Sequence, residues 1–585
     1  MLKITCCFFI ILSAFFSAYA QQRPGACCRA SHFNIDNLPP PIVITGIGNS
    51  SLKITTDSHL AQKYFNQGLS LLHCFWEFEA YRAFKEVARI DPKCAMAYWG
   101  MHAALPDNSI YQEKRAELIE KAVQMSETVT EHEKLYINAY YNLFKLSGDK
   151  ATKAYNDEME RLIDLYPDDK EAKLFYALSL MSGYNLEGKP NDGQVYCQML
   201  LRNVLTVDPD NAAAHHYWIH AMEAEHPERA FESAEKLAKL APNSGHMVHM
   251  PGHIYYRNGD YKRAHQSFLS SMAVDKAYMQ NQNLSASDVW NYIHNLDYMV
   301  ANCAESGHYR EGLEFASKLQ LIETDPKKRN GFAGDEETIV QGGKIAQAKL
   351  SIRYGRWADA AEKFKELLQR RPSAGTYEKT YYKTMISYIE GMEAVENRDL
   401  KKALAAKQSL QKNLYLISKK FKEPADFLER YFADKKELLE VASLELEGFV
   451  QSLKGDYREA VETLKKAIKQ ERELGYQEPP KYPRPVMETL AKVYKMAGDF
   501  KNAVETYKQE LKLRPNSGHA LFGIAEIFVA SGDKEEAQRA YTRFLEVWQG
   551  ADSDLFEVIE AKKWLSRVER AEIKSPSAAV LTPKE

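Results

Sequence analysis

One spacing of small, aromatic and proline residues recurs along most of this 585-residue chain. A chain that repeats itself at such short range folds as a row of like units, not around one central core. Ala80, Phe84 and Pro92 set the pattern, which returns as Ala360, Phe364 and Pro372 and again as Ala503, Tyr507 and Pro515. Ala264 with Phe268, and Ala537 with Tyr541, repeat its first half. Twelve residues before each alanine stands another small residue: Gly68, Gly252, Ala348, Ala491 or Ala525. Gly259-Asp260-Tyr261, Gly455-Asp456-Tyr457, Gly498-Asp499-Phe500 and Gly532-Asp533 precede the alanine at a fixed distance. The spacing predicts two antiparallel helices per unit, with glycine ending the first and proline closing the second. Small residues let the two backbones approach, and the aromatic fills the gap left on the neighbouring unit. A single unit cannot bury its apolar face, whereas stacked units can, so the expected fold class is all-α, a helical-hairpin solenoid with a concave groove lined by first helices.

These residues resemble the tetratricopeptide repeat family over most of residues 60–545. The resemblance implies a solenoid of that type and a groove that more often holds peptides or partner proteins than performs chemistry. Turn formers at Asp325-Pro326-Lys327-Lys328-Arg329-Asn330-Gly331 interrupt the pattern and divide the array into two arms. The expected organisation is a signal peptide at 1–20, an extended leader at 21–54 around Pro39-Pro40-Pro41, an N-terminal array at 55–322, a linker at 323–337, a C-terminal array at 338–570 and a disordered tail at 571–585.

Residues 1–20 carry a basic tip at Lys3, an apolar run from Ile4 to Phe16 and the small-residue site Ser17-Ala18-Tyr19-Ala20. This is the pattern of a cleavable secretory signal, and it predicts a periplasmic or secreted protein. No later segment approaches the roughly 20 apolar residues that a membrane span requires. A charged fraction of 27% at a net charge of −3, without a basic run, gives no footprint for nucleic acid. Six cysteines remain after the signal, Cys27, Cys28, Cys74, Cys94, Cys197 and Cys303; their spacing selects no disulfide pairing and contains no Cys-x-x-Cys.

Eight of the sixteen histidines fall between His215 and His265. His216 and His249 each lie seven residues after a unit-closing proline, Pro209 or Pro242, and His220 and His253 each lie eleven after it. Residues four apart share a helix face, so adjacent repeats present the same pair to the groove. Phe522 and Glu526 hold these offsets after Pro515, so the fold itself does not demand histidine. Glu223 and His246 extend the two stripes, while His294 and Asp297 occupy, counted back from Gly307, the places of His246 and His249 before Gly259. Imidazole pairs at this spacing chelate zinc, copper or iron. His216, His220, His249 and His253 are therefore the expected metal ligands around one ion, with Glu223, His246, His294 and Asp297 as further ligands, orienting groups or proton acceptors. Pro251-Gly252 is expected to kink the helix between His249 and His253. His215 and His226 read as packing and turn residues, His265, His308 and His519 as surface, and His73 as ambiguous.

The segments His216–Glu223 and Gly245–Tyr255 also resemble a set of exported bacterial repeat proteins of undefined function, which usually carry Pro-His-Asn where this chain has Ile293-His294-Asn295. The kinship implies a shared groove site and transfers no activity. Three functions follow as expectations: a metal-binding groove, whether or not it is an enzyme; a scaffold that captures a peptide, protein or small molecule; and a metal buffer.

Overall fold

A computed structural model describes residues 40–108, 110–323, 336–370, 375–419, 421, 424, 427–477 and 479–574. Every regular element among them is a helix, apart from one isolated bridge between Tyr184 and Pro190. The helices follow one another as hairpins, the tetratricopeptide-type arrangement anticipated from the spacing. The chain forms two compact units: the first comprises residues up to 257 with 262–297 and 321–342, the second 258–261, 298–320 and 343 onward. Residues 324–335 of the expected linker lie outside the described residues, as do the signal segment, Cys27 and Cys28. The last helix, Phe556–Lys574, runs into the segment expected as tail.

The opening hairpin of the first unit shows why the repeat residues are needed. Ser58 caps the helix His59–His73 by accepting from the Ala61 amide, and the chain returns through Glu77–Ile90. Phe84 is fully buried where the helices cross. A Cβ on Gly68 of its own hairpin would lie 2.7 Å from its ring, and one on Gly100 of the next helix 2.4 Å. The aromatic thus fills the gap inside its own hairpin as well as the one on the neighbour. In the second unit Gly455, Gly498 and Gly532 take φ values of +88°, +76° and +84°, the left-handed conformation that ends a helix without a Cβ clash. Asp499 and Asp533 then cap the return helices by accepting from Asn502 and Glu536 amides.

The helix Gly245–Arg257 continues through Pro251, so the His249 and His253 spacing survives the proline. Gly252 faces Phe268, and a Cβ there would stand 2.3 Å from the ring. Gly252→Val is expected to lower stability by about 3 kcal/mol through overpacking, read as a shifted urea midpoint at unchanged slope.

Residues 40–54 have no regular structure but are tied down on the first unit. The Ser51 amide donates to Glu171, Ile54 to Gln62, and Thr55 to Glu133, while Ile47, Leu52 and Ile54 are buried. No described helix is long and apolar enough to cross a membrane. Cys74, Cys94, Cys197 and Cys303 are buried free thiols.

Candidate metal centre

Three helices of the first unit bring the histidines together: Ala212–Met222, Gly245–Arg257 and the start of Trp290–Ser306. His216 and His249 are fully buried, His253 and His246 nearly so, and His220 and His294 are partly exposed.

The hydrogen bonds fix which nitrogen carries the proton. His216 Nδ1 lies 2.7 Å from the backbone oxygen of His73, a group that can only accept. His220 Nδ1 and His253 Nδ1 each lie 2.8 Å from a different oxygen of Glu223. His249 Nδ1 lies 2.7 Å from Asn295 Oδ1, and Asn295 Nδ2 donates to Ser271 and to the Asn291 carbonyl at 2.8 Å, which sets the amide's orientation. With Nδ1 donating in all four rings, a neutral imidazole leaves its lone pair on Nε2. Those lone pairs face one another: His216 Nε2 and His220 Nε2 are 3.1 Å apart, and His249 Nε2 and His253 Nε2 are 2.6 Å apart. Two acceptors at such range repel unless a proton or cation lies between them.

A third ring completes each pair. His216, His220 and His246 form one group, and His249, His253 and His294 another; within each, one ligand atom per residue lies within 4.8 Å of the others. His246 is buried with no hydrogen-bond partner on either ring nitrogen, an orphan that a cation would satisfy.

The set expected around one ion, His216, His220, His249 and His253, is therefore divided by the fold into two threes. Rings four apart on one helix touch directly, His216 with His220 and His249 with His253. His246, three residues before His249, reaches back to the first pair. Glu223 joins the two, one oxygen to each. Asp297 belongs to neither three.

Burial favours the neutral form of four of the rings. It pushes His216, His246 and His249 well below the ordinary histidine value, with neighbouring imidazoles adding to the effect, and brings His294 down to about 3. Burial raises Glu223, but the hydrogen-bonded His220 and His253 outweigh it and hold the carboxyl below its usual range. Neutral imidazoles and an ionised carboxylate are the protonation states that cation binding requires.

Several participants were not legible in the sequence. Phe75 packs on His216, His220 and His246 with ring centroids 4.7, 5.5 and 5.7 Å away, and its φ of +53° is strained for a bulky residue. Trp290 covers His246 and His294 at 5.2 and 5.6 Å. His73, buried between Glu171 at 2.7 Å and Tyr217 at 2.8 Å, serves through its carbonyl. The helix break at Cys74-Phe75 carries no glycine to announce it, whereas Asn295 adjoined a histidine already singled out.

The remaining histidines have other work. His215 uses both nitrogens on Ser233 and the Pro209 carbonyl, as a packing residue would. His226 lies at the start of a short turn beside Glu228. His265, His308 and His519 are half-buried, not surface. The ring of His519 sits against Tyr354 and Trp548, and its Nε2 donates to the Ala304 carbonyl.

Residues 489–554 match the family model described as tetratricopeptide repeat. No curated protein matches the chain. Among solved structures, yeast Tom70 is 12% identical, covering 89% of this chain and 98% of its own, with a TM-score of 0.32. A tetratricopeptide repeat protein from Parabacteroides merdae is 13% identical, covering 55% of this chain and 98% of its own, with a TM-score of 0.26.

Proposed function

From a chain built of tetratricopeptide-type hairpins, we propose that the histidine face of its first unit is a transition-metal centre, with zinc, copper or iron as its ion. The observation that carries this reading is the pair of Nε2-to-Nε2 approaches, 3.1 and 2.6 Å, between rings whose Nδ1 atoms are already committed to acceptors. His215, by comparison, turns its two nitrogens to a serine hydroxyl and a backbone carbonyl. His216, His220 and His246, and separately His249, His253 and His294, would hold the metal, while Glu223, Asn295 and the His73 carbonyl fix the ring orientations. When bound, such an ion supplies Lewis acidity toward water or a carbonyl. Three protein ligands leave a coordination position open, which favours a working site over a closed structural one.

Elemental analysis of the purified chain tests this. We expect stoichiometric metal in the native protein and its loss in a His216→Ala, His253→Ala double variant that keeps its helical circular dichroism. Absence of metal after exposure to zinc, copper and iron salts would refute the reading. The second reading, a scaffold for peptides or partner proteins, is favoured by the family match at 489–554 and would then stand alone. Export, read from residues 1–20, belongs to the same proposal and is checked by cell fractionation.

A further inference from the structure

Residues 44–51, within the segment expected as a leader, reach the elements that carry the histidine face at three places. The first is the start of Ala212–Met222, the helix of His216 and His220. There Asn49 Oδ1 accepts from the Ala212 amide and Asn49 Nδ2 donates to the Asp210 carbonyl, both at 3.2 Å. The second is the turn before Gly245–Arg257, the helix of His246, His249 and His253. Here the Asn243 amide donates to the Gly46 carbonyl and Asn243 Nδ2 to the Thr45 carbonyl, both at 2.8 Å.

The third is the helix break at His73–Phe75. Cys74 Sγ donates to the Ile47 carbonyl at 3.3 Å, next to the Phe75 ring that packs on His216, His220 and His246. The Ser51 amide donates to one oxygen of Glu171 at 3.1 Å, and the other oxygen lies 2.7 Å from His73 Nε2. The His73 carbonyl in turn accepts from His216 Nδ1.

The segment is shaped for these contacts. Gly46 and Gly48 take φ values of +67° and +103°, backbone that a side chain disfavours, and they stand where the segment meets the two helices. A Cβ on Gly46 would lie 2.9 Å from Asn243 Nδ2, and one on Gly48 3.2 Å from the Ala212 Cβ. Ile47 between them is buried, and Gln67 fixes the near end by accepting from the Ile44 amide at 3.0 Å. Residues 44–51 contain no histidine, cysteine or acid, so the segment offers support to a metal site and not side-chain ligands of its own.

We infer that residues 44–51 form a strap that preorganises the histidine centre, with Gly46, Gly48 and Asn49 as positioning residues that raise its affinity for metal. This rests on the metal reading above and adds how the site is held ready.

Zinc titration of the full chain against a competing chelator tests it. Gly48→Val, which drives a side chain toward Ala212, should weaken zinc by about 10-fold, the lower end for loss of groups that orient ligands. Asn49→Leu removes two hydrogen bonds without a clash and should weaken zinc by a smaller factor. Met159→Ala, a fully buried change on Asp149–Leu165 away from strap and rings, should lower stability and leave zinc affinity unchanged. Linkage is reciprocal, so zinc should also slow amide exchange at Ile44 and Ser51 of the unmodified chain, a measurement that needs no variant. Strap variants that bind zinc like the unmodified chain, an equal loss in Met159→Ala, or exchange at Ile44 and Ser51 that ignores bound zinc would overturn the strap and leave the metal reading intact. No zinc bound by the unmodified chain would instead remove the metal reading itself.

Discussion

Replacing Arg353 by methionine is expected to cost about 3–5 kcal/mol of stability at neutral pH, because it removes the centre of a buried ionic network. Arg353 is 4% exposed and forks onto Glu305 at 2.8 and 3.1 Å while its other arm reaches Glu488 at 2.6 Å. Arg514 supports Glu305 and Arg484 supports Glu488, both at 3.2 Å, so each acid would keep one weaker partner. Burial pushes Glu305 up, yet Arg353 and Arg514 bring it down to about 2, and Glu488 is likewise held below its usual range. Glu510 has no partner on either oxygen, and its carboxyl is pushed well above the usual range by burial and then by Glu488, which is the behaviour expected of a carboxyl in this core without an arginine fork.

The sign of the pH effect follows from these directions. In the native chain the folded acids have depressed values, so their contribution is complete above the unfolded value of about 4.3 and is lost as pH falls toward about 2. In the methionine variant the same carboxyls lose their main cation and rise above the unfolded value. Their folded state then binds protons more readily than the unfolded one, so the deficit relative to native should shrink as pH is lowered from 7 to 5. Urea unfolding at both pH values measures it, and a deficit that stays constant with pH would show that packing, not charge, sets the loss.

How much of this could be read beforehand depends on range along the chain. The hairpins were legible because Gly68 and Phe84, or Gly252 and Phe268, lie within one repeat and their spacing encodes one crossing of two backbones. The histidine face was legible for the same reason, since register after Pro209 and Pro242 places equivalent side chains on equivalent faces. The division into two threes was not, because register gives a face but not the stagger between adjacent helices. Nothing local links Glu305 to Arg353 and Glu488, and His73 contributes a carbonyl that every residue possesses. Phe75 was hidden because a left-handed turn without glycine leaves no compositional trace.

Adding zinc to the metal-stripped protein is expected to give the largest ligand effect, roughly 4 kcal/mol for one ion at a thousandfold excess over its dissociation constant. For a cooperative unit of roughly 300 residues this raises the melting temperature by roughly 6 °C. The gain arises because one ion takes up facing lone pairs, such as those of His216 and His220, together with one orphaned nitrogen of His246, while the rings of His216 and His220 are already held through Nδ1. It should vanish in the His216→Ala, His253→Ala variant. Its location is equally specific, since amide hydrogen exchange should slow in Ala212–Met222 and Gly245–Arg257 far more than in Val486–Met496 or Gly518–Ser531, helices of the second unit that hold none of these rings. Binding through scattered surface histidines or unfolded segments would spread any protection along the chain, so slowing confined to the helices that carry the six rings, the start of Trp290–Ser306 included, and to the strap across two of them is the result that only a preformed site produces.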